Sequence, residues 1–209
     1  MRFSCSRIQG ASDVKKSAEV ITDPEKAKVL VDPMRREMMR LLAERPMTEK
    51  ELATTLGLSD PSVGYHLRIL KESGLIEIAR KEVEEHGIVQ KFYQTKVLAY
   101  FIDGRVMPLE IERYFMPVSL ERARGIIATL KIITGGPEQV STEQLEKFSK
   151  ILSSTIVRVV PKYSKNWSGD REELINMIYR DALIYLLDKP DLLPEKVQDL
   201  FINAGKRRK

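Results

Sequence analysis

The sequence predicts a mainly α-helical protein with one small antiparallel β wing and a second, helical half behind it. Three observations point there. Apolar residues recur at helical spacing along most of the chain, as in Met34, Met38, Leu41 and Leu42. Helix-start signals punctuate it: Asp23-Pro24, Asp32-Pro33, Thr48 with Glu51, Ser59 before Pro61, Ser141 and Asp170. A single pair of β-rich runs, Leu75–Ala79 and Ile88–Thr95, flanks Gly87. With 209 residues, 43% hydrophobic and 31% charged, the chain has the composition of a packed globular protein and the length for two small domains.

Each element has its own warrant. Residues 1–22 lack periodicity and read as an arm or a loosely docked segment. Asp23 and Pro24 form an N-cap followed by proline at N1, and Asp32 and Pro33 repeat the device. The second helix ends at Pro46. Thr48 and Glu51 form a capping box for a short helix, Glu49–Leu56, closed by Gly57 in the place of a left-handed cap. Ser59 caps a longer helix, Asp60–Ser73, with Val63, Leu67 and Leu70 inward and Gly74 as its stop. Two helices joined by Gly57, Leu58 and Ser59 have helix-turn-helix spacing, and the hairpin that follows makes the unit a winged helix. A charged loop, Arg80–Gly87, is expected at the tip of the hairpin.

Beyond Lys96 the pattern changes. Val97–Val118 is expected to begin helical and continue extended. Amphipathic helices follow over Ser119–Ile133, from Ser141 (capped through Thr142 and Glu143) to Val159, from Asp170 to Leu186, and over Pro194–Ala204, with Pro161–Gly169 as a loop. The expected organisation is an arm (1–22), a winged helix-turn-helix domain (23–97) and an α-helical domain for dimerisation or effector response (98–209).

Several function classes drop out. No apolar run approaches the ~20 residues of a membrane span, and the N-terminus lacks the apolar stretch of a secretory signal, so a cytoplasmic protein without membrane contact is expected. Cys5 is the only cysteine, which excludes an intrachain disulfide and a cysteine-rich metal site. The histidines are His66 and His86 alone, and no nucleophile–base pair, HExxH or phosphate-binding glycine loop occurs. No enzyme, cofactor or metal is expected. The net charge of +5 is local, with Lys206–Lys209 supplying most of it.

The run from Asp32-Pro33-Met34-Arg35-Arg36 through Leu41-Leu42, Thr48–Ala53 and Leu56–Ser59 to Val63–Ile76 resembles the ArsR-like winged helix family, and Lys91-Phe92-Tyr93 resembles its second wing strand. The likeness covers some 65 residues and leaves out the second half, which is similar to longer archaeal members only in being helical. It implies a dimeric DNA-binding regulator. Members that sense metals use cysteines on the helix before the recognition helix. Here Glu51–Leu56 offers neither Cys nor His, so metal control of that type is not expected.

A helix of this kind fits the DNA major groove, about 12 Å wide. With Val63, Leu67 and Leu70 inward, Ser62 and Tyr65 are the candidates for base edges, and His66 and Arg68 for base or phosphate. His66 flanks the buried stripe and equally suits a bond within the domain. Thr48, Lys50 and Ser59 stand at helix starts suited to phosphate. Arg80, Lys81 and Lys91 are placed to grip phosphate beside the wing, although Glu82, Glu84 and Glu85 make its tip acidic. The expected function is a sequence-specific transcription regulator, a repressor, acting as a homodimer on a pseudo-palindromic site in double-stranded DNA, its effector unassigned. The alternative is a winged-helix protein-interaction module in a larger complex.

Overall fold

The computed structural model describes residues 16–83, 87–135, 139–165, 167 and 169–206. Cys5, Glu84–His86, Gly136, Pro137 and Arg207–Lys209 lie outside the described residues. Capping side chains fix the first helices. Asp23 accepts the N–H of Glu25 at 3.0 Å and opens α1, Pro24–Val29. Asp32 accepts the N–H groups of Met34 at 2.8 Å and Arg35 at 3.1 Å and opens α2, Pro33–Glu44. Arg35 and Arg36 then reach back to the Val29, Leu30 and Val31 carbonyls, which α1 leaves unpaired as it ends. Helix α3, Glu49–Leu56, and helix α4, Asp60–Glu72, follow with Gly57 between them at φ 66°.

Strands β2, Ile76–Val83, and β3, Val89–Thr95, pair antiparallel, with a register shift between Ile78 and Arg80. The first strand therefore runs beyond Ala79, and Arg80, Lys81 and Glu82 belong to it rather than to a loop. Met47 adds a short third rung by exchanging backbone hydrogen bonds with Tyr93 at 3.0 and 2.8 Å. That rung ties the start of α3 to the wing.

Two expectations are corrected by a strand pair. Residues 16–21, read as part of an arm, form β1, which pairs parallel with β4, Val97–Ile102. The segment after Lys96 is thus extended first and helical afterwards, the reverse of the expected order. Helix α5 runs unbroken over Leu109–Thr134 with Pro117 inside it. Pro117 and Arg113, whose carbonyl loses its usual donor, both sit at the exposed surface, where the group is open to solvent.

Helices α6, Thr142–Val159, α7, Arg171–Asp188, and α8, Glu195–Lys206, complete the chain. Ser141 caps α6 in a capping box with Gln144, not through Glu143. Pro161–Tyr163, expected as loop, belong to a short 3-10 turn, Val160–Tyr163.

Two apolar cores result. The first gathers α1–α4 and the start of β2 around Met38, Leu42, Leu52, Val63, Leu67 and Leu70. The second gathers α5–α8 around Phe148, Leu152, Leu174, Ile178, Leu186 and Phe201. The β1–β4 pair lies between them. Ala18, Val20, Ala99 and Phe101 pack into the second core, while Ile21, Tyr100 and Ile102 pack into the first. The period of two along a strand is what lets one short sheet serve both. Helix α5 bridges them too, with Ile111 in the first core and Ala123 and Ile127 in the second.

Candidate nucleic-acid interface

The helix pair α3–α4 is held by local chemistry. Thr48 accepts the Glu51 N–H at 3.1 Å, and Glu51 accepts the Thr48 N–H at 2.7 Å. The same carboxylate meets Arg45 at 3.0 Å. The Thr48 N–H, more than the arginine, holds the Glu51 carboxyl below the usual carboxylate range. The Leu58 N–H returns to the Ala53 carbonyl at 3.0 Å, a bond that requires the left-handed turn at Gly57. Where α4 passes α3, a Cβ on Gly64 would stand 2.7 Å from Glu49 Oε1, a carboxylate at the end of a flexible side chain that can swing aside.

Val63, Leu67 and Leu70 turn α4's inner face into the first core. The opposite face, through Pro61, Tyr65, Arg68 and Glu72, is exposed. Tyr65 is 52% exposed, and the Arg68 guanidinium carbon lies 5.7 Å from its ring centroid. Tyr65 and Arg68 therefore form one aromatic–cation surface at the middle of the helix. Ser62 is half-buried at its edge.

His66 is placed differently. Its ring meets the Tyr65 ring edge-on and turns toward the start of α2, with Nδ1 4.0 Å from Asp32 Oδ2 and only 14% of the side chain exposed. That nitrogen is buried and makes no hydrogen bond among the described residues, so the bond within the domain is not formed. Thr48 is buried, and its hydroxyl is occupied by the cap. Ser59 occupies the N-cap position of α4 but makes no side-chain capping bond, which corrects the expected cap and leaves an exposed hydroxyl uncommitted. Lys50, on the first turn of α3, is exposed.

On the wing, Lys81 and Lys91 are direct cross-strand partners, and both are exposed. Like charges opposite each other disfavour a strand pair unless an anion lies between them. Arg80 instead stacks on Phe92, 3.8 Å from the ring centroid, and donates to Glu82 at 2.7 Å. Its charge is partly spent inside the wing. The sequence pattern picked out each lysine but not their pairing, because register depends on the shift between Ile78 and Arg80.

The structure thus assembles Tyr65, Arg68 and Ser62 on one helix face, with Lys50 and Ser59 at helix starts and Lys81 with Lys91 on the hairpin. Thr48 and His66 are turned inward. Among the described residues no group of acidic, histidine or cysteine side chains is placed to hold a metal, and no helix is long and apolar enough to cross a membrane.

Comparisons with known proteins bear on the same segment. The family model for bacterial regulatory proteins of the arsR family matches residues 32–77, which is α2 through the start of β2. The transcriptional repressor SdpR of Bacillus subtilis is 39% identical over 54 residues, 26% of this chain and 60% of the repressor, so the chain matches less than two thirds of that protein. An uncharacterized HTH-type transcriptional regulator of Methanocaldococcus jannaschii is 30% identical over 95 residues, 46% of this chain and 88% of that regulator. Among solved structures, a homodimeric winged helix-turn-helix DNA-binding domain of Mycobacterium bovis, a possible ArsR-family transcriptional regulator, covers 56% of this chain and 85% of its own at 18% identity and a TM-score of 0.29, an overlap too loose to carry an argument. The capped α3–α4 pair, the wing behind it and the extent of the Methanocaldococcus match agree: residues 32–77 form an ArsR-family helix-turn-helix domain, and the chain belongs to the HTH-type transcriptional regulators.

Proposed function

We propose that the protein is a sequence-specific DNA-binding transcription regulator, a cytoplasmic repressor that acts as a homodimer, with α4 laid in the major groove. One observation carries the reading. The exposed face of α4 presents Tyr65 and Arg68 as a joined pair, and the same domain carries Lys50 at the start of α3 and Lys81 with Lys91 on the wing, all exposed and without an ion-pair partner among the described residues. Tyr65, Arg68 and Ser62 read base edges, and the lysines and Ser59 hold phosphates. Thr48 contributes through the helix start it caps, and Arg80 through the wing it stiffens. The match to a repressor supports the sense of regulation. Dimerisation is supported by the apolar side chains that α5 leaves exposed, Leu109, Tyr114, Val118 and Ile132. Residues 23–97 are then the reading head and residues 98–209 the dimerisation and effector part. Two heads on one dimer set half-sites about 10 bp apart, or a multiple of that.

Gel shifts against genomic fragments at low and moderate salt test this. A few fragments should be retained at moderate salt and share a pseudo-palindrome. Retention of all fragments alike, or of none, would contradict it. One observation favours a second reading, in which α4 docks on a partner protein: the ion pair between Arg80 and Glu82 spends a wing cation that DNA would use. That reading gains if no fragment is retained while the fold is intact.

A further inference from the structure

We propose that the groove between the second half of α5, α7 and α8 is a binding site for an amphipathic carboxylic acid, an aliphatic chain ending in one anionic head. The groove holds about 720 Å³, within the range of small-molecule sites, and its walls are Ile126, Leu130, Leu183, Leu187 and Phe201. Such walls expose apolar surface to water unless an apolar chain covers them.

Besides Thr129, whose hydroxyl donates to the Gly125 carbonyl, two polar groups stand in the same lining. The Tyr179 hydroxyl is buried beside Arg122, whose guanidinium approaches it without closing a well-aligned hydrogen bond. Arg122 places its guanidinium carbon 5.9 Å from the Tyr179 ring centroid and makes no ion pair among the described residues. A buried hydroxyl so poorly paired leaves a position that a ligand oxygen fills. A guanidinium beside a phenol offers planar donors to the two oxygens of a carboxylate. Arg122 is the one cation in the lining, which matches a single negative charge better than the double charge of a phosphate monoester.

The third observation is Gly125, which also lines the groove. It lies inside α5, where glycine is disfavoured, and a Cβ built there meets nothing within 4 Å. The missing side chain leaves the groove open. Helix α5 also carries Ile111 into the first core, so groove and reading head share one element.

The test is calorimetric titration of the full chain with decanoate and, separately, 1-decanol; it needs no DNA and is independent of the reading above. Decanoate should bind saturably with one molecule per chain, and decanol about ten-fold more weakly for want of the charge-assisted pair. Arg122→Gln should bring decanoate down to the level of decanol. Gly125→Leu should abolish both while melting at or above the wild-type temperature, which separates blockage from misfolding. No saturable heat with decanoate at millimolar concentration would overturn the proposal, as would undiminished binding by Gly125→Leu or equal affinity for acid and alcohol. Sedimentation supplies the last arm. If Gly125→Leu turned a wild-type dimer into a monomer and decanoate did not bind the wild type, the groove would belong to a second copy of the chain.

Discussion

Lys81 and Lys91 face each other across the wing, and no carboxylate among the described residues pairs with either. The arrangement works against the hairpin in the free protein and in favour of an anion on it. The two effects of removing one charge therefore have opposite signs. Lys91→Gln should leave the melting temperature unchanged or raise it slightly, because a like-charge cross-strand pair is relieved. The same variant should bind DNA less tightly and lower the log-log salt slope by about one unit, the signature of one lost phosphate contact. Melting followed by titration at several salt concentrations checks both. A loss of stability with unchanged DNA affinity would make Lys91 a structural residue.

At the scale of elements, the α3 cap is the joint on which the helix pair hangs. Thr48→Ala should cost about 1 kcal/mol, typical of a lost side-chain N-cap. Glu51 makes the same joint pH-dependent. Its carboxyl is held low in the folded chain, so its contribution is full above the ordinary glutamate range and is lost as pH falls through the depressed folded value. Glu51→Ala lacks that contribution at every pH. The gap in melting temperature between wild type and variant should be widest near neutrality and should close on acidification below about pH 4.

Helices α2, α3 and α4 were legible in the sequence because their caps, stripes and stops are local: Asp32, Thr48, Glu51, Gly57 and Gly74 each act within one turn. The β1–β4 pair was not, because its partners, Lys16–Ile21 and Val97–Ile102, are far apart in sequence and buried on both faces, so neither shows a strand's alternation. Helix α5 hid behind Pro117, a residue that ends most helices but is tolerated at a wet surface. The far end of β2 hid behind Arg80, Lys81 and Glu82, whose charges read as loop. Within the site, the exposed face of α4 followed from its inward stripe. The inward turn of His66 did not, because a side chain at the border of a stripe is placed by its neighbours.

At the scale of the molecule, the two cores share a sheet and a helix rather than a linker. Tyr100 shows the coupling at one atom: its hydroxyl, from β4, donates to the Leu75 carbonyl at 3.2 Å, beside the wing. Trp167, the only tryptophan, packs against the second core. Unfolding followed by its fluorescence should therefore coincide with unfolding followed by far-ultraviolet circular dichroism, which sees both cores. Two separated transitions would show that β1, β4 and α5 do not bind the halves into one cooperative unit.

In the proposed function α4 reads DNA with its exposed Tyr65–Arg68 face while Lys50 holds the backbone. The direct measurement compares wild type, Tyr65→Ala and Lys50→Ala by fluorescence titration on the retained genomic fragment and on random duplex, across a salt series, after melting shows all three folded. Tyr65→Ala should lose about 1–3 kcal/mol on the specific fragment and much less on random DNA. Lys50→Ala should weaken both alike and flatten the salt slope by about one unit. If both variants fold normally and bind the specific fragment as the wild type does, α4 does not read DNA and the account fails at its centre.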